Sequence, residues 1–217
     1  GYFKLPVPQV EEENCVAHNG SIVPVPGRDI LVQAWYQGGI SVIDFTDSAK
    51  PVEIAYFDRG PLNGDELIFG GYWSAYWYDG YIYGTETVRG LDILSLEVSE
   101  YLSANEIASA GLADQGRLFN PQQQFRVTWP AEPVVARSYL DQLLRSKSLP
   151  GSLAGDITSA LELAQETLDT GETNKQLASK LNTLAAALAE AAGDDIDGKR
   201  KTGLAETLEG IAGRLGP

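Results

Sequence analysis

Residues 21–44 of this chain read SIVPVPGRDILVQAWYQGGISVID, and residues 74–94 repeat the pattern as SAYWYDGYIYGTETVRGLDIL. Several short strands in a unit of about 40–50 residues are typical of a β-propeller blade. Propellers close with about 4–8 blades, so two copies predict an incomplete set of blades. Three pairs of residues align at an offset of 51 to 53: Ser21 with Ser74, Gly27 with Gly80, and Gly39 with Gly90.

Strand and turn signals divide the region into two β-meanders. In and after the first copy, apolar and β-branched residues predict strands over residues 29–36, 40–45 and 52–57. In the second copy, Asp79-Gly80 predicts a hairpin, and strands are expected over residues 74–78, 81–85 and 91–96. These segments predict antiparallel sheets whose edges stay open.

The apolar spacing becomes helical from residue 133 onward. Breaks at residues 149–151, 170–171 and 193 separate four helices, which suits a small bundle. Two stripes with steps of 4, 3 and 4 are expected to face one core: Leu177, Leu181, Leu184 and Leu188, then Leu204, Leu208, Ile211 and Leu215.

Two capping boxes are expected at helix starts. Ser103 with Glu106 predicts one for a short helix, and Thr173 with Gln176 predicts one for the third helix of the bundle. The acids of residues 194–197 fail the calcium-loop pattern, and they are interpreted as opening the last helix.

These signals predict an α+β chain with several domains. Residues 1–98 are interpreted as incomplete β-propeller blades, and residues 133–217 as a small C-terminal α-helical bundle. Residues 99–132 are expected to connect them as a strap with a short helix, extended in the Pro/Gln-rich part over residues 120–130.

Charge and composition exclude some classes of function. The net charge of −14, with only three consecutive basic residues at 199–201, argues against binding to nucleic acid or anionic membranes. No apolar run reaches the ~20 residues of a membrane-spanning helix. The single Cys15 excludes internal disulfides and zinc sites built from several thiolates.

The chain begins at Gly1 and contains no Met. Its first residues lack the charged and then apolar pattern of a signal peptide. We interpret Gly1 as a processed or truncated end and expect any targeting signal upstream of it.

Several short segments of the sequence resemble the bacterial LVIVD-repeat proteins. The blade motif of that family, a hydrophobic run to Asp followed by a Pro turn, is matched by Ile40–Asp44 with Pro51. The resemblance implies an exported β-propeller with further blades upstream, and it implies no particular activity. The other segments that carry the resemblance are HNGS at 18–21, PGRD at 26–29, VQAWYQGG at 32–39, DRGP at 58–61 and the stretch 73–84.

His18 is the only histidine, and Glu12 and Glu13 precede it closely. An imidazole with carboxylates near the mouth of a propeller channel can hold a divalent metal or act as a general base. If a metal binds, these three residues are the expected ligands, with others supplied by further blades; no other cofactor is predicted. The structural alternative is that His18 and Asn19 form hydrogen bonds at a strand entry.

Aromatic residues are dense before residue 100, and alternation over residues 72–83 would send one set inward and the other to the surface. Exposed rings on a rigid β scaffold can stack on sugars or bury against a protein partner, whereas the structural alternative is packing between blades. Arg89 is a further binding candidate, unless it pairs with Glu86 or Asp92. The expected surface set is Trp35, Tyr36, Tyr72, Trp73, Tyr76, Trp77, Tyr78, Tyr81 and Tyr83.

The sequence therefore predicts a non-enzymatic extracellular or cell-surface protein that works by protein–protein association. Its expected partners are the missing N-terminal blades, from the same precursor or from a second chain, in a homo- or hetero-oligomer. The alternative is an enzyme with a metal-dependent site in the propeller channel that involves His18 and the nearby acids. The candidate binding residues are His18, Asn19, Trp35, Tyr36, Trp73, Trp77 and Arg89.

Overall fold

The computed structural model describes residues 1–116 and 126–216, and within them the chain divides into two compact units. Unit 1 contains the described residues of Gly1–Pro24, Arg28–Leu102 and Gln115–Arg126. Unit 2 contains those of Val25–Gly27, Ser103–Asp114 and Val127–Pro217. One division therefore falls after Leu102, inside the predicted strap.

Unit 1 contains two antiparallel sheets, each built from consecutive strands. Sheet 1 has the order β1-β2-β3-β4, with strands at Gly20–Val23, Ile30–Ala34, Ile40–Asp44 and Val52–Phe57. Sheet 2 has the order β5-β6-β7, with strands at Tyr72–Tyr78, Tyr81–Glu86 and Gly90–Leu94. The expected meanders are confirmed, and β1 is an additional strand that the sequence did not predict.

Left-handed turn residues explain the alignment of glycines between the copies. Asp79 and Gly80 join β5 to β6 with φ values of 45° and 85°, the pattern of a type I′ hairpin turn. The other repeat glycines, Gly27, Gly39 and Gly90, have φ values of 75°, 81° and 98°. A side chain at any of these positions would be strained.

One face of sheet 2 packs against sheet 1. Ala75, Trp77 and Ile82 lie on this face and are at most 2% exposed. A Cβ added at Gly84 would lie 2.7 Å from the Cδ1 atom of Ile40, so glycine permits the close approach of the sheets. Among the described residues neither sheet closes on itself, and the assignment of the sheets to propeller blades stays a prediction.

Unit 2 is helical, and its core confirms the apolar stripes. The eight predicted residues on α4 and α5 are at most 8% exposed and belong to one cluster with residues of α2 and α3. Burial of these aliphatic side chains stabilises the unit. The helices are α1 at Ala104–Gly111, α2 at Pro133–Arg145, α3 at Gly151–Thr170, α4 at Lys175–Glu190 and α5 at Ile196–Leu215.

The first capping box is confirmed. The Ser103 hydroxyl accepts a hydrogen bond from Glu106 N at 3.2 Å, and the Glu106 carboxylate accepts one from Ser103 N at 2.7 Å. The carboxylate, which is fully buried, also binds Arg145 at 2.5 Å, so α1 is attached to α2 within unit 2. Residues 120–125 of the predicted extended strap lie outside the described residues.

The second capping box is wrong. Asn174, and not Thr173, caps α4, because its side chain accepts the hydrogen bond from Leu177 N at 3.0 Å. At α5, Asp195 accepts from Gly198 N at 2.6 Å, which confirms that these acids open the helix. In the part of the chain that the structure describes, no helix has both the length and the apolar character to cross a membrane.

Candidate binding surfaces of unit 1

His18 and Asn19 lie at the entry to β1, where the two sheets meet. The backbone of His18 donates to Ala34 O at 2.9 Å, and that of Asn19 donates to Trp73 O at 3.3 Å. Asn19 O accepts a hydrogen bond from Ala34 N at 3.2 Å. The two residues therefore connect β2 of sheet 1 with β5 of sheet 2, which agrees with the structural alternative for this pair.

The His18 side chain has a defined hydrogen-bonding arrangement. Its Nδ1 atom lies 2.6 Å from Trp73 O. Because a carbonyl oxygen only accepts, Nδ1 carries a proton, and in the neutral ring Nε2 presents a lone pair. The same arrangement is common in histidines that bind metals, but it equally suits an imidazole that accepts a hydrogen bond from any donor.

Three aromatic rings gather near this imidazole, and with it they form what we call the His18 cluster: His18, Tyr36, Phe69 and Trp73. The His18 ring lies 4.0 Å from Trp73 and 5.1 Å from Tyr36, measured between centroids. Tyr36 lies 5.9 Å from both Trp73 and Phe69, edge to face. Trp73 is 43% exposed and Phe69 is 67% exposed, so the cluster has an aromatic outer surface.

Backbone contacts hold Tyr36 in this cluster. Its φ of 50° is left-handed, which is uncommon for a bulky residue and costs ~1–3 kcal/mol. Tyr36 N donates to Tyr72 O at 3.2 Å, and Tyr72 N donates to Tyr36 O at 2.8 Å. A Cβ added at Gly71 would lie 2.1 Å from the Tyr36 carbonyl carbon, so the neighbouring glycine is required.

The structure does not bring His18 together with the predicted acidic ligands. Among the described residues, no group of three His, Cys, Asp or Glu side chains is placed to hold a metal ion. The Glu13 carboxylate instead accepts a hydrogen bond from Val10 N at 3.3 Å. Burial, followed by the charges of Glu13 and Asp58, raises the pKa of Cys15 to about 11, so this thiol is protonated at neutral pH.

Two aromatic residues of the expected set, Trp77 and Tyr72, belong to the inward-facing ones. Trp77 is 1% exposed, and its backbone N donates to the Ser21 hydroxyl at 2.8 Å, so it belongs to the core between the sheets. Tyr72 is 2% exposed. Trp35 is half-buried, and its ring lies 6.0 Å from that of Phe3.

Arg89 does not pair with either expected acid. Its guanidinium donates to Pro61 O at 3.3 Å. Glu86 is 4% exposed, and its carboxylate accepts backbone hydrogen bonds from Gly71, Val88 and Arg89. This carboxylate therefore shapes the turn between β6 and β7.

Asp92 joins a network that sequence reasoning missed. Arg59 binds Asp92 Oδ1 at 2.5 Å, and the Tyr72 hydroxyl donates to Asp92 Oδ2 at 2.5 Å. Burial, followed by this hydrogen bond, raises the pKa of Tyr72. The partners are 33 and 20 residues from Asp92 in sequence, so no local pattern indicates the network.

The outer face of sheet 2 forms a second surface. Tyr76 pairs with Tyr83, and Tyr83 pairs with Ile93, so these side chains lie opposite the buried Ala75 and Trp77. Alternation in the sequence indicated such a face for the tyrosines, but Leu91 and Ile93 were missed. We call it the tyrosine face, and it comprises Tyr76, Tyr78, Tyr81, Tyr83, Leu91 and Ile93.

Four side chains of the tyrosine face are about half exposed. Tyr78 is 49% exposed and Tyr81 is 48% exposed, while Leu91 and Ile93 are each 58% exposed. Large adjacent apolar side chains on a regular sheet are typical of interaction surfaces. Tyrosine is suited to such a surface because its ring is rigid and its hydroxyl stays solvated.

Comparisons of the chain with protein-family models, curated proteins and solved structures found no match. The resemblance to LVIVD-repeat proteins therefore rests on the residues quoted above and stays a prediction.

Proposed function

We propose that this chain is a non-enzymatic binding protein, part of a β-propeller, which works by association with further β-sheets. These sheets would come from the same precursor or from a second chain, in a homo- or hetero-oligomer. The resemblance to exported proteins extends the proposal to an extracellular or cell-surface location.

One observation supports the proposal above the others: the internal repeat relates a covered face of sheet 1 to the tyrosine face of sheet 2, where Tyr81, Leu91 and Ile93 are 48%, 58% and 58% exposed. Ser21 pairs with Val32 in sheet 1, and the Ser21 hydroxyl accepts a hydrogen bond from Trp77 N of sheet 2. Ser21 therefore lies on the face of sheet 1 that packs against sheet 2. Its repeat partner Ser74 pairs with Thr85, on the side of sheet 2 that carries the tyrosine face. The tyrosine face is thus the counterpart of a surface that, in the first copy, packs against the next sheet.

Burial of this face would stabilise an assembly. Each aromatic side chain buries 150–250 Å² at a contact, and buried apolar area contributes roughly 25 cal/mol per Å². The outer edge of β7, which carries no backbone hydrogen bond among the described residues, adds backbone groups that invite pairing with another chain.

The test is the mass of the native species by size exclusion with light scattering. We expect the purified chain alone to self-associate, and Tyr81→Lys to shift it toward the monomer, because the charge would be desolvated in the interface. Leu67→Lys is the matched control, since Leu67 is 56% exposed but lies outside the tyrosine face. A wild-type chain that stays monomeric at its highest soluble concentration would contradict the proposal.

The metal-dependent enzyme remains the alternative, and the lone pair on His18 Nε2 is the observation that favours it. Metal content measured in the purified protein would be the first check. A metal lost in His18→Ala together with a measured activity would support the enzyme over the binding protein.

A further inference from the structure

Sheet 2 has one strand fewer than sheet 1, although the two sheets are formed by two copies of the same sequence repeat. In sheet 1, β3 pairs with β4. In sheet 2, the corresponding strand β7 pairs with β6 only, and its other edge carries no backbone hydrogen bond among the described residues. The position that β4 occupies in the first copy is therefore open in the second.

A groove of about 730 Å³ lies beside that edge, entirely within unit 1. β7 and the residues that follow it, 95–99, bound one side, and residues 53–57 of β4 bound the other. Its volume lies within the range of ligand pockets in proteins. Its apolar lining comes from both sheets and includes Ile40, Val42, Ile54, Phe57, Ile82 and Leu94.

The chemistry of the groove favours a β-strand over a small apolar molecule. A small apolar molecule could fill the volume, but it would leave the N–H and C=O groups of β7 without partners. An added strand pairs with those groups and directs alternate side chains into the groove. Leu91 and Ile93 on β7, each 58% exposed, would flank the new strand on its outer side.

β4 itself shows what such a strand looks like. It reads VEIAYF: Ala55 and Phe57 pair with Val42 and Ile40, which line the groove, while Tyr56 between them is 71% exposed, so the side chains alternate. Lys50 and Arg59 flank it in the sequence. Glu53 and Glu97 line the groove, so basic flanking residues would suit its charge.

We propose that the free edge of β7 binds an extended segment of another polypeptide, with alternating apolar residues and basic flanks, as the fourth strand of sheet 2. The proposal rests on the role in association, and it specifies the partner: a single strand whose backbone pairs with β7. It does not require the tyrosine side chains of the tyrosine face.

The probe is a synthetic peptide of residues 50–59, KPVEIAYFDR, added to the whole chain and followed by fluorescence anisotropy. We expect saturable binding. N-methylation at Ile54 and Tyr56 removes donors from one edge of the strand, and N-methylation at Ala55 and Phe57 removes donors from the opposite edge. One of these matched peptides should bind about tenfold more weakly or worse, and the other should bind like the parent.

A variant of the protein tests the location. Ala55 lines the groove and pairs with Val42, so Ala55→Trp should fill the space and abolish peptide binding. Leu67→Trp, at an exposed position outside the groove lining, should leave binding unchanged. Far-UV circular dichroism identifies a variant that fails to fold, and in that case Ala55→Leu replaces it.

Three outcomes would overturn the inference. The first is that the peptide does not bind the wild-type chain. The second is that both N-methylated peptides bind equally, which would indicate an apolar ligand site. The third is that filling the groove leaves peptide binding unaffected. If the peptide does not bind but self-association is still weakened by Tyr81→Lys, only this inference is removed. The reverse result would remove only the tyrosine-face proposal.

Discussion

At the scale of single residues, a partly buried ion pair joins the loop before β2 to the end of β3. The Arg28 side chain is 3% exposed and binds Asp44 Oδ2 through two nitrogens, at 2.5 and 3.2 Å. Arg28 also donates to Tyr101 O at 2.7 Å, and Thr46 donates to Asp44 Oδ1 through both its N and its hydroxyl. Each charge is therefore compensated, which makes the loss of either partner costly.

We predict that unit 1 loses stability in acid through Asp44. Burial would raise its pKa, but Arg28 and the hydrogen bonds from Thr46 outweigh burial and hold the pKa below its ordinary value. The unfolded chain then binds the proton first, so the stabilisation is complete above the ordinary pKa of ~3.9 and is lost as pH falls through the lower pKa of the folded state.

Urea unfolding of the wild type and of Asp44→Asn between pH 7 and pH 3 checks this. At pH 7 the variant should be less stable by about 3 kcal/mol, since the Arg28 guanidinium loses the carboxylate charge that accepts two of its hydrogen bonds. The difference should shrink toward pH 3. A gap that stays constant over this range would show that Asp44 acts by shape and not by charge.

At the scale of elements, the ends of helices depend on single side chains. α4 has two plausible cap residues in sequence, Thr173 and Asn174, and the side chain of Asn174 makes the capping contact. The Asn174 backbone also donates to Leu215 O at 2.7 Å, which fixes the start of α4 against the end of α5. α4 and α5 share the leucine core, so this cap lies at the edge of the principal packing interface.

The cap assignment can be tested by two neighbouring substitutions. Asn174→Ala should lower the free energy of unfolding of unit 2 by about 1 kcal/mol, because one orphan N–H loses its acceptor. Thr173→Ala should change it by less than about 0.5 kcal/mol, as expected for a surface substitution away from a cap. Chemical denaturation followed by helical circular dichroism measures both. Equal effects would return the cap to Thr173.

At the scale of the whole molecule, charge opposes association while the apolar surfaces favour it. Every copy carries a net charge of −14, and residues 1–130 hold 17 acids against 7 bases. Copies therefore repel each other at long range. The tyrosine face and the free edge of β7 act at contact, where that repulsion must be overcome.

Self-association should therefore strengthen with salt. Raising the ionic strength from about 0.01 M to about 0.15 M shortens the Debye length from ~30 Å to ~8 Å, which screens repulsion between copies. Sedimentation velocity at a fixed protein concentration should show a larger associated fraction at the higher salt. A fraction that falls with salt would mean that opposite charges, and not apolar surfaces, hold the assembly.

The sequence by itself determined the features that depend on local chemistry. The turns at Gly27, Gly39, Gly80 and Gly90 were predictable because a left-handed φ strains every other residue. The meanders and the leucine stripes were predictable because side chains alternate with a period of 2 in strands and 3.6 in helices. The capping box of Ser103 and Glu106 spans only four residues, so it too is visible locally.

Only the tertiary structure decided which side of each element is covered. Alternation places Trp77 and Tyr78 on opposite faces of β5, but packing against sheet 1 determines that Trp77 is the buried one. The network of Arg59, Asp92 and Tyr72 and the groove beside β7 join residues far apart in the chain. Such contacts depend on how the sheets pack against each other, and packing between distant segments leaves no periodic signal in either segment.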